Sequence, residues 1–342
     1  MMQSFRQQGL TLVELMVAAT LGLVIMAGVI QLFISSKETY RINSFISQIQ
    51  ESGRFAIEAV AHDLRMAGYQ GCADPKAVPP VNLVLNSAPV THFKETSIIG
   101  GEGGASSDEL LIRYASPQFT PLMEPSDPVN ATLAIEQNTQ NFTNGDVIMV
   151  ADCASAHLVR LTNVALSTTT NASGVVTTKY ILSYADTEND LTKLLKTYAK
   201  DTTRLMHLSS VRYRILDTGR TNSAGMAIKA LYRKDLKDAQ PVELVEGVEN
   251  MQLLFGERLA DGNLRYAAAN DATLDMARVS SVRLGMLLET TELTGNRLDK
   301  QSYVLAGTRV GPNDGSTLGV THEADRRYRR AFNITVFLRN RE

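Results

Sequence analysis

The chain has 342 residues, of which 44% are apolar and 20% charged, and it carries a formal net charge of −2. That composition suits one large folded core or two modest ones and excludes gross disorder. A near-neutral balance supplies no broad attraction for polyanions, so nucleic acid is not an expected partner.

Residues 1–9, MMQSFRQQG, are polar, with one positive charge at Arg6. The next 25 residues, Leu10 to Ile34, contain a single charge, Glu14. As a helix this segment is about 37 Å long, enough to cross a hydrocarbon core of about 30 Å with some tilt. It is too long for the apolar region of a secretory signal peptide, and its small residues are scattered instead of grouped as a cleavage site at its end. A plain membrane anchor leaves Glu14 without a purpose. A carboxylate near the bilayer centre costs about 2.5–3.5 kcal/mol, and such acids generally serve a partner.

After Ile34 the polar run SSKETYR ends the lipid-facing stretch. Ile42, Phe45, Ile46, Ile49, Phe55, Ala56, Ile57, Val60, Leu64 and Ala67 then recur mostly at three- and four-residue spacings, which predicts an amphipathic helix. No proline occurs between Met1 and Asp74. One helix is therefore predicted from about Leu10 to about Ala67, roughly 87 Å long. Gly53 is a candidate bend and Gly68 a natural stop. A coiled coil is the alternative use of the same spacing, but the stripe is short and lacks charged flanks.

From Cys72 onward the pattern changes to short strands and turns. Candidate strands are ELLIRY from Glu109, DVIMVA from Asp146, HLVRLTNVAL from His157, KYILSY from Lys179, SVRYRIL from Ser210, MAIKALYR from Met226, NMQLLFG from Asn250, VRLGMLLE from Val282 and FNITVFLR from Phe332. Several alternate apolar with polar residues, as half-buried antiparallel strands do. Asp261 and Gly262 form a hairpin-turn pair. Pro-, Gly- and Ser-rich segments, including GGEGGASS from Gly100, read as loops. The expected fold class is α+β, one long N-terminal helix packed on an antiparallel β-rich head of residues 70–342, with room for a two-lobed division near residue 200.

Cys72 and Cys153 are the only cysteines, and both follow the apolar segment. A disulfide is the simplest use of an even pair in an oxidising compartment. Closing a loop of about 80 residues removes roughly 4–5 kcal/mol of unfolded-state entropy. Two buried free thiols are the alternative. A zinc site is short of ligands, since only His157 lies near Cys153 and no histidine near Cys72.

His62, His92, His157, His207 and His322 are scattered, and the chain has no HExxH, GxSxG or Walker loop. Asp186, Glu188 and Asp190 have the alternate spacing of a calcium loop, but Leu191 and Thr197 stand where such a loop needs Gly and Glu. No catalytic residue, metal site or cofactor is expected.

The run Gly9, Leu10, Thr11, Leu12, Val13, Glu14 resembles the type IV prepilin family, in which a short basic leader ending in Gly precedes an apolar helix with Glu five residues on. The usual first mature residue there is Phe, and here it is Leu10. The resemblance implies a leader at 1–9, cleavage after Gly9 by a prepilin peptidase and N-methylation of Leu10. It also implies a filament-core helix over 10–34, held first in the bacterial inner membrane with the head in the periplasm, and an amphipathic continuation over 35–69. Cleavage leaves an α-amine on Leu10, which the carboxylate of Glu14 can meet on a neighbouring subunit in a low-dielectric core.

VRYRIL (211–216), ALYR (230–233), ELVEGVENMQLLFGE (243–257), VSSVRLGMLL (279–288) and RRYRRAFNITVFLRNR (326–341) are similar to segments of the PilW family of minor pilins, in that order. That resemblance implies a non-enzymatic subunit at the pilus base or tip that primes assembly with other minor pilins, the major pilin and a PilY-type tip adhesin. The alternatives are a minor pseudopilin of a type II secretion system, and a membrane-anchored exported enzyme or receptor that never enters a filament. Arg326, Arg327, Arg329 and Arg330 read either as a contact surface for acidic neighbours or as a solvated edge that discourages strand pairing.

Overall fold

The computed structural model describes residues 11–73, 81–82, 84, 97–104, 106–170, 172–185, 187–190, 196–235, 237–295, 297–315 and 319–341. The chain divides into a unit ending at Glu51 and a unit from Ser52 to Glu342. One helix, α1, runs from Leu12 to Met66 without interruption, and the head is built of β-sheets, an α+β architecture as expected.

The first unit is helical from Leu12 onward. Its residues to Ile34 are rich in Leu, Val, Ile and Ala, and their side chains stand exposed, Leu23 at 68% and Phe33 at 70%. This stretch is long and apolar enough to cross a membrane.

In the second unit α1 continues with Ala56, Val60, Ala61, Leu64 and Ala67 fully buried. The spacing of that stripe matches expectation, except that Phe55 points to solvent at 56% exposure. Burying side chains the size of Val60 and Leu64 stabilises by about 1.5–3 kcal/mol each. Gly53 does not interrupt the helix. A Cβ there would lie 2.3 Å from the ring of Phe332, so the missing side chain is the space into which that ring packs. The helix ends at Gly68, whose φ of 77° suits a residue without a Cβ. Gly68 N–H donates to the Arg113 carbonyl (2.9 Å). The side chain of Asn340 donates to the carbonyls of Arg65, Met66 and Ala67 at 3.3–3.4 Å.

Among the described residues the strands form four sheets. The largest is organised around the long strand Arg204–Thr221. Its first residues pair antiparallel with Val147–Asp152, and its later ones lie between Glu109–Ala115 and Ala227–Lys234. A second sheet orders Leu264–Ala267, Val248–Arg258, Val279–Glu289 and Arg329–Phe337. Two three-stranded sheets complete the head, one from Thr132–Ile135, Val176–Ser183 and Asn163–Thr170, the other from Tyr303–Leu305, Thr308–Asn313 and Thr321–Glu323. The expected single run from His157 is two strands in different sheets, Ser155–Arg160 and Asn163–Thr170. The break falls at Leu161 and Thr162, where the Leu161 N–H and C=O both bond back to the Gly145–Asp146 turn. The segment read as a glycine loop at 100–104 begins inside a strand, Ile98–Gly101. Asp261–Gly262 does turn the hairpin between the strands of the second sheet, closed by Leu259 N–H to the Asn263 carbonyl (2.8 Å).

The helix meets the large sheet at a buried acid. Asp63 lies on the apolar stripe of α1 at 5% exposure. It accepts from the hydroxyls of Tyr114 (2.9 Å) and Tyr213 (2.7 Å) and from Arg233 Nε (3.3 Å). Tyr114, Tyr213 and Arg233 come from three adjacent strands and share one face of the sheet, as period-two alternation requires. Burial and then the Asp63 charge push both phenols well above their ordinary range, so they remain donors.

Asp108 joins the two larger sheets. Its carboxylate accepts from Gly103 N–H (3.0 Å) and from Leu253 N–H (2.9 Å), and its own N–H donates to the Met251 carbonyl. Burial raises its carboxyl to about 6 despite those two N–H donors.

Two stability outcomes are expected. Asp63→Ala leaves two buried hydroxyls and a guanidinium without their acceptor and destabilises the full-length protein by about 3 kcal/mol in denaturant unfolding, with Asp63→Asn closer to wild type. At Asp108 the folded state keeps its proton up to about pH 6, whereas the unfolded state loses it near pH 4. Its contribution is thus largest below about pH 4 and falls by at most about 3 kcal/mol as pH rises through 6. Asp108→Asn should abolish that slope in unfolding measured from pH 4 to 7.

Candidate functional site

The helix start is set by Thr11. Its hydroxyl accepts from Glu14 N–H (3.2 Å), and its carbonyl accepts from Leu15 N–H (3.1 Å). Thr11 to Glu14 is the T-x-x-E spacing of a capping box, a signal that is present in the sequence itself. Glu14 therefore sits in the first turn of α1, where an acid is favoured by the helix dipole. Its carboxylate is exposed, in an apolar surround of exposed Leu12, Val13, Leu15 and Val17. Gly9 and Leu10, the expected cleavage junction and methylation site, lie outside the described residues, as do His92, Asp186 and Leu191.

Cys72 follows the end of α1, and Cys153 caps the turn between Val147–Asp152 and Ser155–Arg160. They are joined as a disulfide with Cα atoms 4.8 Å apart, so neither sulfur is available as a nucleophile or a metal ligand. The turn carrying Cys153 is held by Asp152, whose carboxylate accepts from Ala154 N–H (2.9 Å) and Ser155 N–H (2.8 Å) and pairs with Lys196 (2.5 Å). Burial works against the Asp152 charge, yet Lys196 and these N–H groups hold its carboxyl below the usual range. The described histidines have neighbours of structural kind. His157 bonds the Tyr198 hydroxyl, His207 lies against the Gln140 carbonyl and Lys237, His322 bridges the Gln301 and Glu323 carbonyls, and His62 is beside Asp63.

The arginine run near the C-terminus differs from both expectations. Arg326 and Arg330 are exposed, but Arg327 and Arg329 are buried. The period of two along an extended chain turns alternate residues of RRYRR inward. Arg329 pairs with Glu249 (2.7 Å), Asp325 (2.8 Å) and Glu289 (3.0 Å), and Arg327 pairs with Asp325 (2.6 Å) and Glu289. Burial, and then the neighbouring Glu249 charge, push Glu289 upward. Glu249 is held below its ordinary range, because its bonds to Arg329 outweigh burial. These two arginines neutralise acids inside the head and are not a surface for acidic neighbours.

Residues 213–340 match the family model described as Type IV Pilus-assembly protein W, and residues 4–30 match the prokaryotic N-terminal methylation motif. The chain matches no curated protein and no solved structure. The methylation-motif match spans Thr11, Glu14 and most of the exposed apolar helix. The other match spans the strands that carry Tyr213, Arg233, Glu249, Glu289 and Arg329. Together they support a PilW-family type IV pilin.

Replacing both Cys72 and Cys153 by Ser should destabilise the protein by about 2–4 kcal/mol. Thermal unfolding with and without reductant checks this, since reductant should lower the melting temperature of the wild type and leave the double variant unchanged.

Proposed function

We propose that this pilus-related protein is a minor pilin that primes assembly of a type IV pilus with other minor pilins and a tip adhesin. It is cut after Gly9 and N-methylated at Leu10, stored in the inner membrane through 10–34 with the head in the periplasm, and drawn into a filament. The observation that carries the reading is an exposed apolar helix with a single acid in its first turn, in a chain whose C-terminal region matches the PilW model.

The physics of Glu14 supports assembly over anchoring. Thr11 satisfies the backbone N–H of Glu14, not its carboxylate. An ionised carboxylate in hydrocarbon is costly unless it meets a cation. The α-amine freed at Leu10 is such a cation, and a neighbouring subunit presents one in the same apolar layer. Association then removes the cost that insertion of the single chain incurs. A pseudopilin of a secretion system would use the same helix, and the PilW match favours the pilus.

Mass spectrometry of the mature protein should find a chain beginning at methylated Leu10, and one beginning at Met1 would sink the proposal. Glu14→Ala should insert in the membrane normally, yet its recovery in sheared pili should fall about tenfold or more, the effect of losing about 1.4 kcal/mol of pairing. A deletion strain should lose surface pili and retain protein secretion. The reverse phenotype would point to a pseudopilin.

A further inference from the structure

The large sheet has a second face, opposite the one that meets Asp63. There Glu109–Ala115, Arg204–Thr221 and Ala227–Lys234 turn their alternate side chains into a groove of about 770 Å³. Leu111 and Leu216 line it, together with four cations, Arg113, Arg212, Arg214 and Lys234. Arg212 stands directly opposite Lys234 in the register of the two strands. Arg113 is opposite Ser210 on the other side, diagonal to Arg212.

Like charges directly opposite one another destabilise a sheet, so the Arg212–Lys234 pair is a cost within the fold. Arg212 makes no ion pair among the described residues, and Lys234 bonds only the Ala239 carbonyl (3.2 Å) there. Burial, followed by the charge of Arg212, lowers Arg113 to about 10. The acids of the groove have partners other than Arg212 and Lys234, and Asp238 accepts from Asp235 N–H (2.8 Å). Glu109 pairs with Arg214 (2.7 Å), and Asp235 accepts from Ser210 N–H (3.1 Å) and lies 3.8 Å from Arg233.

We propose that this groove binds an extended acidic segment of another protein, seating its carboxylates on Arg212 and Lys234 and its apolar side chains on Leu111 and Leu216. A carboxylate bridging Arg212 and Lys234 turns an unfavourable cross-strand pair into two favourable ones. The groove is too large for a single small anion. Glu109, Asp235 and Asp238 at its walls oppose a uniformly charged polyanion, whereas a polypeptide that alternates acidic and apolar residues matches both the cations and the apolar lining.

The test uses the full-length protein in an uncharged detergent and fluorescence anisotropy of a labelled peptide of alternating Glu and Val. The expected result is saturable binding that weakens with salt, and that Arg212→Gln with Lys234→Gln weakens by about tenfold or more. A matched peptide of Gln and Val should not bind, and inorganic phosphate should not compete at low millimolar concentration. Arg212→Glu with Lys234→Glu should instead bind a peptide of alternating Lys and Val. The Gln double variant should melt no lower than wild type, because it removes a repulsive pair. Unchanged affinity in that variant, equal binding of the Gln peptide, competition by phosphate, or a lowered melting temperature would each overturn the proposal.

Discussion

A single carboxylate, Asp63, fixes how the helix lies in the head. It is buried on the apolar face of α1 and held by two phenols and a guanidinium from three neighbouring strands. Apolar packing alone tolerates a helix that slides or rotates by part of a turn, since one aliphatic contact resembles the next. A buried ion does not tolerate it, because displacement strands the charge without donors. Val60, Leu64 and Ala67 supply the attraction, and Asp63 selects one position among those that such attraction permits.

The same sheet treats charge differently on its two sides and inside the neighbouring sheet. Asp63 and the Arg327 and Arg329 cluster are buried with their counter-charges at hydrogen-bond distance. Arg212 and Lys234 are exposed and face a like charge. The first arrangement specifies the fold, and the second leaves it slightly worse off. Unfavourable charge that the fold does not need is where a partner has most to contribute. The head thus separates groups that hold its own structure from groups poised toward something else, strand by strand, through the alternation of side chains.

Much of this was legible in the sequence because it rests on periodicity. The three- and four-residue spacing of Val60, Leu64 and Ala67 predicted the helix, and alternation predicted the strands at Glu109, Ser210, Asn250 and Val282. What was not legible depends on contacts between distant segments. Nothing local says that Gly53 makes room for Phe332, which is 279 positions away, or that Arg329 is enclosed by Glu249 and Glu289. Arginines are normally exposed, so RRYRR reads as surface from sequence alone. Two further signals are local. Thr11 and Glu14 have capping-box spacing, and Asp63 interrupts an apolar stripe where an acid needs a buried partner.

The closing contact of Asn340 with the carbonyls at the end of α1 joins residues 273–275 positions apart. The strand Arg329–Phe337, which adds to the second sheet beside Val279–Glu289 and carries Phe332, likewise lies more than 260 positions after the helix it touches. The ribosome therefore delivers the helix well before the segments that lock it in place. Until translation has passed Phe332 and Asn340, the space at Gly53 lacks its ring and the carbonyls of Arg65, Met66 and Ala67 lack that donor. Contacts of such long sequence separation also form slowly. A chain interrupted before Arg329 would accordingly carry α1 without the ring that fills the space at Gly53 and without the side chain that caps its last carbonyls.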